Sequence, residues 1–315
     1  MSTLILTEAE KDSHINSDLF SCIKHNIPKS RRVTVANLRK WNEILDLESY
    51  ESIVIVGSFI YKPDIFVELR NISRAKLFLW STEDPYELSF TRNNIKALDR
   101  VFTNDPNLPI LYSESDKFEY LPFGVCLNCL NRKKNNKNSR ILFCGSGFPE
   151  RIAIFSKLKF DDPDLFSNID FVGEGWDELV APGNLISKRM SRSTLASYYS
   201  TYLINLNIER FIDINREFIK IPNSGINTRI LEIGACGGSI ISLNSGYQIW
   251  QEITQNSITV VNSYSRFIES IKFQLSNPVV SMEKGLRLQS EIQSKFSLDK
   301  RVDILMSRIE LLNKG

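Results

Sequence analysis

Two histidines, His14 and His25, are all that 315 residues contain. That scarcity argues against histidine-built metal centres and clustered imidazole catalysis. Cysteine is also sparse, at five residues: Cys22, Cys126, Cys129, Cys144 and Cys236. Cys126 and Cys129 form one C-x-x-C, but no second pair and no nearby histidine completes a zinc site. The odd count, in apolar or glycine-rich surroundings, fits reduced thiols in a cytoplasmic enzyme. Charge of one sign is lacking too, since 39 basic and 37 acidic residues leave a formal net charge of +2. No global field then favours nucleic acid or an acidic membrane surface, and no nucleic-acid partner is expected. No run reaches the ~18 apolar residues of a spanning helix. Met1–Glu10 has neither the basic start nor the apolar core of a signal peptide. No D-x-D stands on a strand-end loop.

What is present is an α/β rhythm, short β-branched runs followed by helical patterns. A first series of strands is expected at Thr3–Thr7, Ser52–Val56, Ala75–Trp80, Arg100–Thr103 and Phe118–Leu121. A second is expected at Arg140–Cys144, Ile169–Val172, Thr201–Leu206, Ser239–Leu243 and Thr259–Val261. Several are almost wholly apolar, as parallel strands covered on both faces must be. Asn131–Ser139 (NRKKNNKNS) is basic and without periodicity; it reads as a solvated linker, with a phosphate-binding patch as the alternative. The divisions are therefore a first domain over 1–130, a linker over 131–139, a second domain over 140–281 and closing helices over 282–315. Leu286, Leu288, Ile292, Phe296, Ile304, Ile309 and Leu312 supply the apolar spacing of those helices.

The richest stretch is Ser224–Leu243, SGINTRILEIGACGGSIISL. Ser224 and Gly225 suit a turn, and Asn227 or Thr228 can cap the helix that follows. Ile230, Leu231 and Ile233 give that helix an apolar face, and Gly237 and Gly238 end it. A loop-to-helix start offers free N–H groups and a positive dipole end to a diphosphate. Arg229 adds a forked positive charge there, and Glu232 can accept from sugar or ribose hydroxyls. The competing reading makes Arg229 and Glu232 an intrahelical surface pair at i, i+3.

These residues resemble the CgeB-like branch of the glycosyltransferases with GT-B architecture. The family pattern G-x-N-x-R-x-x-E-x-x-A-C-G-G is matched by Gly225, Asn227, Arg229, Glu232, Ala235, Cys236, Gly237 and Gly238. LWSTEDP (79–85), RVFTNDP (100–106), YLPFGV (120–125), ILFCGSGFPER (141–151), FVGEGW (171–176) and INLNIER (204–210) follow the family order. The resemblance implies two Rossmann-like domains facing across a cleft, the second holding a nucleotide-sugar donor, with a UDP-sugar favoured, no separate cofactor and no essential metal. Gly145, Ser146 and Gly147 then sit at a strand's carboxyl end, where open α/β sheets bind ligands. Arg151 is placed to reach a donor phosphate, with a solvent-facing role as the alternative. Gly173 and Trp176 lie after the next strand, with the indole near the base or in the core. Asn205 and Asn207 share one strand face. One departure stands out: where many retaining relatives carry a second glutamate, eight positions before Glu232, this chain has Ser224.

Acid–base work needs a titratable group at the acceptor. Asp84 is the leading candidate, with Glu83 beside it in STEDP and His14 as the third; the alternative makes Asp84 a turn residue before Pro85. Two other functions compete. One is a catalytically inactive nucleotide-sugar-binding or scaffolding protein with the same fold. The other is an S-adenosylmethionine-dependent methyltransferase, because RILEIGACGG resembles E-x-G-x-G-x-G, although Cys236 occupies the central glycine position. Sugar, acceptor, stereochemistry and oligomeric state stay open.

Overall fold

The computed structural model describes residues 2–7, 32–57, 62–111, 115–130, 137–210, 224–243 and 256–314, together with 20, 23–25, 27 and 253. His14 and residues 131–136 lie outside this set. The chain divides into two compact units, one of residues 1–126 with 296–315, the other of residues 127–295.

The first unit is a six-stranded parallel sheet of β1 (Ser2–Thr7), β2 (Arg32–Asn37), β3 (Ser52–Val56), β4 (Lys76–Ser81), β5 (Arg100–Thr103) and β6 (Phe118–Tyr120), in the order β2-β1-β3-β4-β5-β6. Its inner strands read as apolar runs because helices such as α1 (Ile65–Ile72) and α2 (Leu88–Asn94) accompany them. SIVIV of β3 is buried at every position. β2 does not follow from the apolar pattern. It lies at the edge with alternating exposure, and its arginine, threonine and asparagine break any apolar run.

The second unit repeats the plan with β7 (Asn138–Cys144), β8 (Ile169–Val172), β9 (Leu185–Ser187), β10 (Tyr202–Ile208), β11 (Ile240–Leu243) and β12 (Thr259–Val261), in the order β12-β11-β10-β7-β8-β9. Its helices include α3 (Pro149–Asp161), α4 (Arg192–Thr201), α5 (Thr228–Ala235), α6 (Tyr264–Ser276) and α7 (Pro278–Lys295). β9 escapes the sequence pattern because it is three half-buried residues at an edge with an irregular register. The aromatic core packs Phe143 edge-on to Phe155 at 4.9 Å and to Trp176 at 5.4 Å, with Phe171 5.0 Å from Trp176.

The last helix, α8 (Leu298–Lys314), returns to the first unit, so the apolar stretch after residue 282 divides between the two units. Val125 N–H donates to Phe296 O at 2.8 Å and Leu298 N–H to Val125 O at 3.0 Å, knitting the helix start to the chain after β6. Lys137 corrects the solvated-linker reading at its own position. Its ammonium donates to Gly237 O at 3.1 Å and Tyr202 O at 3.3 Å, and burial lowers its pKa to about 8. Cys126 is disulfide-bonded, against the expectation of reduced thiols throughout, whereas Cys144 and Cys236 are free. Among the described residues no helix is long and apolar enough to cross a membrane.

Candidate functional site

The carboxyl ends of β7, β8 and β10 form the polar end of the second unit. Gly145 and Gly173, which follow β7 and β8, are stitched together: Gly145 N–H donates to Val172 O at 2.7 Å, and the Trp176 indole N–H donates to Gly145 O at 2.7 Å. Gly173 has φ +144°, and a Cβ there would stand 2.2 Å from Gly145 O, so only glycine lets the two loops approach this closely. Trp176 is fully buried among Phe143, Phe155 and Phe171. It is a core residue, and the placement of its indole against a nucleotide base is corrected accordingly.

Arg151 is likewise turned inward. Its Nε and Nη2 donate to Ile208 O at 3.0 and 2.7 Å, and its Nη1 donates to Ser146 O at 3.1 Å. The side chain is 4% exposed, so it ties the end of β10 to the loop after β7 instead of reaching outward to a phosphate.

α5 begins as its sequence requires. Asn227 is the N-cap, its Oδ1 accepting from Ile230 N–H at 2.9 Å, and Gly237, at φ +73°, follows the helix end. Thr228 and Arg229 form the first turn, half-buried, while Ser224 and Gly225 lie buried just before it. The intrahelical Arg229–Glu232 pair of the competing reading does not form. Glu232 binds Arg192 of α4 at 3.0 Å, a partner 40 positions away that no local pattern shows. Arg229 instead leans over the strand ends: its Nη2 would meet a Cβ on Gly145 at 3.0 Å, and its Nη1 approaches Asn207 Oδ1 at 3.4 Å. Among the described residues no carboxylate lies within ion-pair distance of Arg229. Close by, burial pushes the Cys144 thiol up and the Tyr199 hydroxyl well up, so neither adds a negative charge beside the guanidinium.

Two residues of this region were not singled out by sequence. Glu209, just past β10, continues the Asn205, Asn207 alternation and accepts from Asn227 Nδ2 at 2.7 Å and Asn207 Nδ2 at 3.1 Å. Ser242 accepts from Asn207 Nδ2 at 2.7 Å. The period of two would have found Glu209. Asn205, by contrast, donates to the backbone oxygens of Tyr199 and Ser239, both at 3.3 Å, and holds structure rather than lining the polar end.

In the first unit Asp84 sits fully buried at the end of β4, accepting from Thr103 Oγ1 at 2.8 Å while its Oδ1 has no hydrogen-bond partner. Burial is the chief cause that raises its pKa to about 6. Glu83 next to it is half-buried. The enclosed Asp84 carboxyl joins the ends of β4 and β5, whereas Glu83 is the one with access to solvent.

Two Rossmann-like units, each with a six-stranded parallel sheet, give the chain the GT-B fold. A family model described as glycosyl transferase-like matches residues 151–307. In sequence the chain is similar to the CgeB-like glycosyltransferases. It is 20% identical over 237 residues to the spore protein CgeB of Bacillus subtilis, covering 71% of this chain and 72% of that one. Among solved structures, Anabaena HepE in complex with UDP-glucose superposes with a TM-score of 0.69 at 10% identity, covering 98% of this chain and 99% of that one. A T4 phage BGT mutant in complex with UDP-glucose gives 0.62 at 15% identity, with the same two coverages of 98% and 99%.

Proposed function

We propose that this protein transfers a sugar from a nucleotide-diphosphate donor, a UDP-sugar by preference, to an acceptor hydroxyl. The observation that carries the reading is Arg229: a guanidinium at a helix start, beside a glycine loop at the strand ends, with no carboxylate in ion-pair range among the described residues. A diphosphate placed there meets the free N–H groups and positive end of α5 together with a forked donor. Leaving-group charge that develops as the glycosidic bond breaks is stabilised by the same groups, without a metal. The UDP-glucose held by HepE and by the T4 phage protein favours a uridine donor.

On this reading Glu232, oriented by Arg192, presents its carboxylate to donor hydroxyls, and Gly145 and Ser146 line the diphosphate. The acceptor is assigned to the strand ends of the first unit, where Glu83 is the accessible carboxylate and Asp84 holds the loop behind it. His14 lies outside the described residues, and its candidacy as base rests on sequence alone. The protein works in the cytoplasm, where nucleotide sugars are available.

A thermal-shift screen against UDP-, GDP- and dTDP-sugars and S-adenosylmethionine tests the proposal. Selective stabilisation by one nucleotide sugar, lost in Arg229→Ala, is the expected result. Stabilisation by S-adenosylmethionine alone would overturn it.

A further inference from the structure

We infer that Glu209 is a positioning residue: its carboxylate sets the orientation of two asparagine amides and thereby aims the start of α5 and Arg229 at the diphosphate. The inference rests on the donor-site reading above and adds a residue to it.

A side-chain amide has a donor end and an acceptor end of nearly the same shape, so its direction is decided by its neighbours. Asn227 and Asn207 both turn their Nδ2 toward Glu209, at 2.7 and 3.1 Å. Glu209 is 5% exposed, and a buried carboxylate accepts only. Reversing either amide would bring oxygen against carboxylate oxygen in a site with little water to screen the repulsion. Both Oδ1 atoms therefore face the other way. That of Asn227 caps Ile230 N–H at 2.9 Å. That of Asn207 accepts from Asn227 Nδ2 at 3.1 Å and faces Arg229 Nη1 at 3.4 Å. Ser242, accepting from Asn207 at 2.7 Å, holds the second amide against rotation. The polarity runs from one carboxylate through two amides to the helix start and the guanidinium. Without Glu209 the amides lose the group that distinguishes their two orientations, and the Arg229 fork loses its fixed aim.

The test separates diphosphate recognition from folding and from base recognition. Dissociation constants of UDP and of uridine are measured by calorimetry for the full-length wild type, Glu209→Ala, Glu209→Gln, Arg229→Ala and the Glu209→Ala/Arg229→Ala double variant. The gain of UDP over uridine reads the diphosphate contribution alone. Glu209→Ala is expected to cut that gain about tenfold or more while leaving uridine binding within about twofold, as a positioning loss does. Glu209→Gln, which keeps an acceptor facing the amides, restores most of the gain. The double variant is no worse than Arg229→Ala, because both changes act on one contact. An unchanged UDP-to-uridine gain in Glu209→Ala overturns the inference alone, as does a glutamine variant as impaired as the alanine one. A wild type that binds uridine and UDP equally overturns the donor-site reading itself, and the inference with it.

Discussion

Two arginines stand within about a side chain's width of Gly145, yet their surroundings give them opposite tasks. A Cβ on that glycine would meet Arg229 Nη2 at 3.0 Å and Arg151 Nη1 at 3.2 Å. Arg151 is committed to backbone oxygens, so Arg151→Ala should lower the unfolding midpoint, each lost charge-assisted bond being worth about 1.5–3 kcal/mol. Arg229→Ala should leave the midpoint nearly unchanged and remove about 2–4 kcal/mol of transition-state stabilisation, read as kcat/KM. Equal effects of the two substitutions on midpoint and turnover would refute the division.

Asp84 offers a pH test. Its pKa is raised from 3.8 to about 6 in the folded state, chiefly by burial. Below pH 3.8 both folded and unfolded carboxyls are protonated and folding pays no desolvation penalty. As pH rises through about 6 the unfolded carboxyl is already ionised, and the folded state loses stability on the order of 3 kcal/mol. Asp84→Asn stays neutral throughout. Its stability relative to wild type should therefore climb between pH 4 and pH 7 in denaturant melts. A difference that does not change with pH would show that Asp84 carries no such burden.

At the scale of elements, α5 holds its place because α7 comes unusually close to it. Gly285 of α7 faces the end of α5, where an added Cβ would lie 2.4 Å from Gly237 O. The obstacle is backbone and cannot rotate away. Gly285→Ala should cost about 1–3 kcal/mol in chemical denaturation through overpacking. Gly183 has nothing within 4 Å of its would-be Cβ. Gly183→Ala should be neutral or stabilising by about 0.4–1 kcal/mol. Similar losses in both would mean that backbone freedom, not helix approach, sets the requirement. Lys137 adds an ionic tie at the same place, since its ammonium meets Gly237 O at the helix end, where a cation is favoured.

At the scale of the molecule, the second unit is continuous in sequence over residues 127–295, while the first needs 296–315 to complete it. A fragment of residues 127–295 is expected to unfold cooperatively and to keep its affinity for the nucleoside diphosphate. A chain ending at Lys295 should lose the cooperative melting of the first unit, because Leu298, Val302, Leu305, Met306 and Ile309 of α8 are buried. Circular dichroism and calorimetry on both would decide it, and a fragment 127–295 without a cooperative transition would count against independent folding.

The sequence by itself determined the inner strands, the helix 228–235 and its caps, because these rest on local rules: apolar runs between covering helices, an asparagine before a first turn, a glycine after the last. It also singled out Asn227 and Arg229 in one stretch and Asn207 on a separate strand, which the fold then brought together. The edge strands β2 and β9 were not legible, since half-exposed or three-residue strands carry no apolar run. Only the tertiary structure decided which partner each charge takes. Glu232 found Arg192 instead of Arg229, Arg151 turned to Ile208 O, Trp176 entered the core, and Lys137 left the linker for a helix end. The physical reason is common to all four: a long polar side chain or a large ring settles against whatever the fold brings within a few ångströms, and separation along the chain does not record that distance.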